Sequence, residues 1–174
     1  TYEKVNDETG RPMHKSWGNA IWFHEAIEDM GADVMRWMYA GQQPAQNLNF
    51  GYGPAGEVKR RLLTLWNTYS FFVLYANVEG FTPRYDLLET GPDPATARPL
   101  DRWLAARTQW LVGECRAALD AWESPRLVRA FETFLDDLSN WYVRLSRTRF
   151  WRSQDAGDTR AAFDALWYAL VQAL

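Results

Sequence analysis

The residues best suited to chemistry lie in a short polar loop, residues 10–19, in which a lysine and a serine are adjacent. Glycine at positions 10 and 18 gives such a loop backbone freedom. A lysine on a mobile loop can follow the charge of a triphosphate as it reorganises, so Lys15 and Ser16 are candidate phosphate ligands. Taken alone, the same pattern is also typical of a solvated turn.

A second group of candidates is basic. Between residues 138 and 154 the chain has no acidic residue and four arginines, Arg144, Arg147, Arg149 and Arg152. At about 100° per helical residue, Arg144, Arg147 and Trp151 share one face, and Asn140 lies one turn earlier. Guanidinium groups beside an aromatic ring suit a phosphate backbone and a stacked base. Arginines near a helix C-terminus also complement the helix dipole without a ligand, so an RNA-facing ridge and a solvated face both remain open.

Other reactive side chains are few. His14 stands next to Lys15 and is within reach of a phosphate, although we favour a surface histidine of the loop. His24 and Cys115 complete the set of histidines and cysteines, and their spacing is not that of metal ligands. We therefore expect no metal site and no covalent catalysis.

Composition sets the broad class. The chain has 174 residues, of which 47% are hydrophobic and 16% aromatic, enough for one domain or one and a half and too apolar for disorder. Because the net charge is only -3, attraction to nucleic acid has to come from a local patch. No apolar run approaches the roughly 20 residues of a bilayer span. We expect a cytoplasmic protein without a membrane partner and, from its two ends, a piece of a longer polypeptide.

Hydrophobic periodicity predicts helices and almost no strand. We expect helices at residues 23–30, 32–40, 55–76, from 99 or 100 to 122, at 125–151 and at the C-terminus, with a brief extended piece at 48–50. Predicted buried stripes include Phe23, Ile27 and Met30 in the first of these helices and, in the later ones, Trp66, Tyr69, Leu104, Trp122, Phe134, Trp141, Leu145, Phe163, Leu166, Val171 and Leu174. From residue 55 onward this pattern indicates an antiparallel helix bundle.

The long helix predicted at 55–76 carries cations near its start, among them Lys59 and Arg60. Positive charge there opposes the helix dipole. We therefore expect an acidic neighbour or a polyanion to compensate for it.

Three stretches carry a family resemblance. Residues 7–19 read Asp-Glu-Thr-Gly-Arg-Pro-Met-His-Lys-Ser-Trp-Gly-Asn, residues 31–37 read Gly-Ala-Asp-Val-Met-Arg-Trp, and residues 136–151 run from Asp-Asp-Leu-Ser-Asn-Trp-Tyr to Arg-Phe-Trp. The first resembles the Lys-Met-Ser-Lys-Ser loop of class I aminoacyl-tRNA synthetases, and the second resembles the helix that follows it. The third is similar to the anticodon-binding helix of isoleucyl-tRNA synthetases.

The resemblance implies a division into residues 1–53, the C-terminal end of a catalytic domain, and residues 54–174, an anticodon-binding helical bundle of the class Ia type. It implies that Lys15 acts on ATP phosphates, within an ATP-binding set of Met13, His14, Lys15 and Ser16. Pro12 and His14 depart from the family's loop pattern. The implied tRNA-binding set is Lys59, Arg60, Asn140, Arg144, Arg147, Trp151 and Arg152.

The parent enzyme would activate isoleucine with ATP and Mg²⁺ and transfer it to tRNA(Ile). The rest of its active site would lie outside this chain, which we expect to be inactive alone, without a bound cofactor and without affinity for DNA. Two alternatives stay open: a stand-alone helical module that binds RNA or protein, and the same region of a valyl-tRNA synthetase.

Overall fold

Helices make up most of the computed structural model, which describes residues 4–151 and 153–174. They are α1 Phe23–Asp29, α2 Ala32–Ala40, α3 Tyr52–Val78, α4 Leu87–Thr90, α5 Pro99–Asp120, α6 Ser124–Asp136, α7 Arg144–Ser146 and α8 Ala156–Ala173. The predicted mainly α-helical fold is confirmed, and the ends of α1, α2, α3 and α5 lie within a few residues of those expected from periodicity.

Two short strands form a parallel pair. β1, Val5–Asn6, pairs with β2, Leu48–Asn49, and the Leu48 amide donates to the Lys4 carbonyl over 2.8 Å. The sequence is compatible with a strand at residues 1–5, of which residues 1–3 lie outside the described part, and it offers as a nearby partner only the chain just after the following turn. That chain does contribute a bridge from Asn6 to Pro12, but the ladder forms 43 residues away in sequence. Helices α1 and α2 supply the crossover that a parallel pair requires.

Contacts divide the chain into two compact units. The first comprises the described residues up to Leu63 together with Ala118–Arg129, and the second comprises Thr64–Ala117 and Ala130–Leu174. The core of the first unit is built around Ala26, Met30, Val34, Met35, Met38, Leu48, Phe50 and Ala55. Met13, from the loop that carries Lys15, packs against this core, so the loop has an apolar anchor.

The second unit has an aromatic core. The ring of Phe163 in α8 lies 4.9 Å from that of Phe150, 5.2 Å from Phe81 and 6.1 Å from Phe72. Residues 161–170 of α8 are all buried, so this helix is covered on every side. At its start, Asp155 caps the backbone amides of Gly157 and Asp158.

Several aromatic and aliphatic residues predicted to be buried are exposed. Trp122 is 92% exposed and Trp141 55%, and the group also includes Phe23, Ile27, Trp66, Tyr69, Leu145, Val171 and Leu174. Of the side predicted for the first helix only Met30, directly after α1, is buried, together with Ala26. Periodicity identifies an apolar stripe, but the width of the covered stripe depends on how many neighbouring elements pack on the helix.

The predicted continuous helix at 125–151 is wrong in its second half. After α6 the backbone is π-helical from Asp137 to Val143, forms the short α7, and ends in a 3₁₀ turn at Arg147–Phe150. A π-helix bonds each residue to the fifth along rather than the fourth, which changes which side chains share a face. This explains why Trp141 is exposed while Tyr142, next to it, is fully buried.

Candidate nucleic-acid interface and phosphate loop

A shallow cleft of about 310 Å³ lies between α3 and the irregular segment after α6. It is hereafter the basic cleft, and it is lined by Asn67, Thr68, Phe71, Ser139, Val143, Arg144 and Arg147. Thr68 is buried and donates its hydroxyl to the Thr64 carbonyl. Asn67, next to it in sequence, is exposed. The lining therefore combines two apolar residues, Phe71 and Val143, with two arginines.

Arg144 and Arg147 are both exposed, as the ridge hypothesis requires. The guanidinium carbon of Arg147 lies 5.3 Å from the centre of the Trp151 ring. Asn140 is also exposed, and its amide donates to the Asp136 carboxylate over 3.2 Å. The structure thus brings Arg144 and Arg147 to one cleft.

Trp151 is placed differently from its helical projection. It lies beyond the 3₁₀ turn and is half-buried, with its ring 5.2 Å from that of Tyr75 and 6.3 Å from that of Phe71. Arg152 lies outside the described residues.

Arg149 does not belong to the ridge, although sequence grouped it with its neighbours. It is buried, and its guanidinium donates to both oxygens of Asp101 over 2.6 and 2.8 Å and to Asp158 over 3.0 Å. Tyr142 donates its hydroxyl to the same Asp101 carboxylate over 2.8 Å. These four residues are hereafter the Asp101 network.

Electrostatics in the Asp101 network fix its protonation. Burial raises the pKa of Asp101, but hydrogen bonds from Arg149 and Tyr142 outweigh burial, so the pKa lies below its ordinary value. Burial raises the pKa of Tyr142 well above its ordinary value, which keeps its hydroxyl a donor. The network holds a buried ion pair in place and serves the fold.

A pattern in the sequence was available for this network and was missed. Asp101, Leu104, Thr108 and Leu111 recur at steps of three and four along α5 and are all buried. An acid on such a stripe requires a buried cation. Arg149, close to the apolar stripe of the following helical region, was a candidate for that cation.

The loop bearing Lys15 is closed at its base by side chains. It is hereafter the Lys15 loop, residues 7–19. Asn19 accepts from the His14 amide over 2.9 Å and donates to Asp7 over 2.9 Å and to the Pro12 carbonyl over 3.0 Å. Asp7 also accepts from Thr9 and from the Arg11 amide. Hydrogen bonds from Thr9 and Asn19 lower the pKa of Asp7 well below its ordinary range.

At the tip, residues Lys15–Trp17 form a 3₁₀ turn that ends at Gly18, whose φ of 70° favours glycine. Lys15 and Ser16 are exposed, and the Lys15 ammonium lies 4.5 Å from the centre of the Trp22 ring. His14 is exposed, with its ring 4.3 Å from that of Trp17. Met13 packs on the core instead, as described above.

The loop is also attached to the start of α3. Glu8 accepts from the Gly53 amide over 2.8 Å. A Cβ atom at Gly51 or Gly53 would come within 2.8 Å of the Glu8 side chain, so both positions favour glycine. Glu8 places a carboxylate at the start of the helix, whereas the compensation expected for the cations of α3 stays a prediction. Of those cations, Lys59 and Arg60 are exposed, and Arg60 forms an ion pair with Glu57.

The described residues, 4–151 and 153–174, contain no group of three or more histidine, cysteine, aspartate or glutamate side chains arranged to hold a metal ion. None of the helices they form combines the length and apolarity that a membrane span needs.

Comparisons with known proteins agree with one another. Residues 101–174 match the family described as the anticodon-binding domain of tRNA ligase. The chain is 44% identical to the isoleucine–tRNA ligase of Thermus thermophilus and 42% identical to that of Dehalococcoides mccartyi strain 195, over 96% of its own length and 16% of theirs. It thus spans about a sixth of the length of these relatives.

Similar folds occur among solved structures. A LeuRS chain from Agrobacterium radiobacter K84, crystallised as a ternary complex with tRNA and LeuAMS, aligns over 99% of this chain and 20% of its own, with a TM-score of 0.63 at 16% identity. That likeness concerns the fold. Residues 101–174 are thus similar to the anticodon-binding domain of tRNA ligases, and nearly the whole chain is similar to one segment of isoleucine–tRNA ligases.

Proposed function

We propose that the basic cleft binds the anticodon stem of a tRNA. The observation that carries the proposal is the position of Arg144 and Arg147: both are exposed, both line one cleft, and both fall within the anticodon-binding match at residues 101–174. A guanidinium group presents several donors in a plane that fits phosphate oxygens. The burial of Arg149 supports a division of labour in which one arginine stabilises the fold and two remain for RNA.

Further residues extend the proposed RNA surface. Asn140 and Trp151 stand close to the two arginines in sequence, and the guanidinium of Arg147 already lies over the Trp151 ring. A base that stacks beside this pair would gain contact area without sequence selectivity. Lys59 and Arg60, exposed in the first unit, and Arg152 complete the tRNA-binding set that we propose.

For the Lys15 loop we propose contact with the phosphates of ATP in the longer protein. The exposed ammonium of Lys15 and hydroxyl of Ser16 suit a polyanion, and the His14 side chain is exposed next to them. Met13 contributes by anchoring the loop in the core. When bound, ATP and Mg²⁺ would supply the reactive phosphate and the counter-charge; this chain alone would hold neither.

The reaction of that longer protein is the activation of isoleucine with ATP and its transfer to tRNA(Ile) in the cytoplasm. The names of the relatives support isoleucine over valine. Within it, residues 1–53 would end the catalytic domain and residues 54–174 would form the anticodon-binding bundle. The chain by itself should be inert in isoleucine-dependent ATP–pyrophosphate exchange.

The test is the affinity of the chain for a tRNA(Ile) transcript. Arg144→Ala combined with Arg147→Ala should weaken binding at least about tenfold, because each charge-assisted hydrogen bond contributes about 1.5–3 kcal/mol. The matched control is Arg36→Ala combined with Arg116→Ala, which removes two exposed arginines elsewhere and changes the net charge equally. Equal loss in both pairs, or equal affinity for duplex DNA of the same length, would refute the proposal.

A further inference from the structure

We propose that Asp7 and Asn19 are the positioning residues of the Lys15 loop, and that their paired side chains determine where the Lys15 ammonium stands. The phosphate role of Lys15 rests on the proposed function, but the geometric claim does not. The pair occupies the two ends of the loop, twelve residues apart, and joins them through the Asn19 amide and the Asp7 carboxylate over 2.9 Å.

Asn19 uses its whole amide group in this role. Its oxygen accepts from the His14 amide, and its nitrogen donates both to Asp7 and to the Pro12 carbonyl. Pro12 and His14 flank Met13, which packs on the core. One side chain therefore fixes the backbone on both sides of the apolar anchor, and His14 directly precedes Lys15.

Asp7 uses the two oxygens of its carboxylate separately. One oxygen accepts from the Thr9 amide, the Thr9 hydroxyl and the Arg11 amide at 3.0, 2.6 and 3.0 Å. The other oxygen accepts from Asn19. The first set orders the tight turn at residues 7–11, and the second bond ties that turn to the far end of the loop.

The roles of the two residues are complementary and directional. Residue 7 accepts and residue 19 donates, while residue 19 also accepts from His14. An Asn19→Asp variant would place two carboxylates against each other and lose both donations. Adding Asp7→Asn would restore one donor–acceptor pair in the reverse direction while keeping the acceptor for His14. A pair that positions the loop should be rescued by this exchange.

The position of Lys15 has its own spectroscopic signature. Because the Lys15 ammonium lies over the face of the Trp22 ring, its side-chain protons should be shifted upfield by the ring current. This shift reports the position of the Lys15 side chain. A change in global stability does not alter the shift as long as the chain is folded. Trp22→Leu should abolish the shift without exposing the His14 amide, which verifies the origin of the signal.

The experiment is NMR on the full chain and its Asn19→Asp, Asp7→Asn and doubly substituted variants. Because repulsion from Asp7 should move the carboxylate at position 19 out of reach of the His14 amide, Asn19→Asp should speed hydrogen exchange of that amide at least about tenfold, the range expected for losing one hydrogen bond, and should remove the upfield shift of Lys15. Asp7→Asn keeps an acceptor oxygen for the turn at residues 7–11 and should perturb both signals less. The double variant should return both signals most of the way to those of the unaltered chain.

Asn77→Asp, the same change at an exposed position of α3, is the matched control and should leave both signals unchanged. Unaltered Lys15 and His14 signals in Asn19→Asp, or a double variant no better than the single one, would overturn the inference. These outcomes are independent of tRNA binding. Failure of the Asp7–Asn19 pairing leaves the arginine test intact, and failure of the arginine test leaves the pairing intact.

Discussion

The guanidinium of Arg149 donates hydrogen bonds to both carboxylate oxygens of Asp101, a residue 48 positions earlier in the chain. Asp101 is fully buried and Arg149 is 7% exposed. Arg98 adds an ion pair to Asp158 from the outside, with its side chain half exposed. The Asp101–Arg149 pair joins α5 to the 3₁₀ turn that begins at Arg147. It therefore supports the backbone that presents Arg144 and Arg147.

Breaking this pair should destabilise the fold strongly. Arg149→Leu leaves the Asp101 carboxylate buried without its cation, and removal of one partner of a buried pair costs about 3–5 kcal/mol. The free energy of unfolding, measured with urea and circular dichroism, should fall by that amount. Arg147→Leu, the exposed neighbour, should change it by less than about 0.5 kcal/mol. Equal effects at 147 and 149 would contradict the assignment.

Low pH should reduce the contribution of Asp101 to the free energy of unfolding. The pKa of Asp101 is lower in the folded chain than in the unfolded chain, where it is about 4. The stability that Asp101 contributes is therefore present above the unfolded pKa and is lost as the pH falls through the folded pKa. The loss of stability caused by Asp101→Asn should therefore shrink between about pH 6 and about pH 3. A constant difference for Asp101 would count against a depressed pKa.

The helices could be predicted from sequence because they are encoded locally. Periodicity located α2 and α3, and it placed the start of α6 within one residue of Ser124. The partners of Asp101 and of β1 could not be read from a local window, since they lie 48 and 43 residues away. The π-helical segment Asp137–Val143 was also not predicted. Its apolar residues recur at the three- and four-residue steps of an α-helix, so the sequence pattern does not show the change in hydrogen bonding.

The candidate site was recovered only in part for the same reason. Sequence placed Arg144 and Arg147 on one face and left Arg149 out of the tRNA-binding set, but the charge pattern did not reveal that Arg149 is buried. It also missed Asn67 and Phe71, which belong to a different helix and join the cleft only in the folded chain. Whether Lys59, Arg60, Asn140, Trp151 and Arg152 touch RNA stays a prediction.

Charge at the opposite rim of the basic cleft should change RNA affinity in a sign-dependent way. Asn67 is exposed and lines the same cleft as Arg144. Asn67→Glu should repel a phosphate backbone and weaken tRNA binding several-fold, whereas Asn67→Lys should leave it unchanged or tighten it. The same two changes at Asn77, outside the cleft, should have smaller effects. Parallel loss of affinity in both Asn67 variants would indicate a steric effect and would contradict an electrostatic role of the rim.

The central claim is that Arg144 and Arg147 contact phosphates of a bound tRNA, and the salt dependence of binding tests it most directly. Each phosphate contact releases counterions, so log K falls with log salt concentration by about 0.7–0.9 per contact. Removing both arginines should reduce the magnitude of that slope by about 1.5, while Arg36→Ala combined with Arg116→Ala should leave it unchanged. A slope for the Arg144→Ala, Arg147→Ala chain equal to that of the unaltered chain would contradict the account.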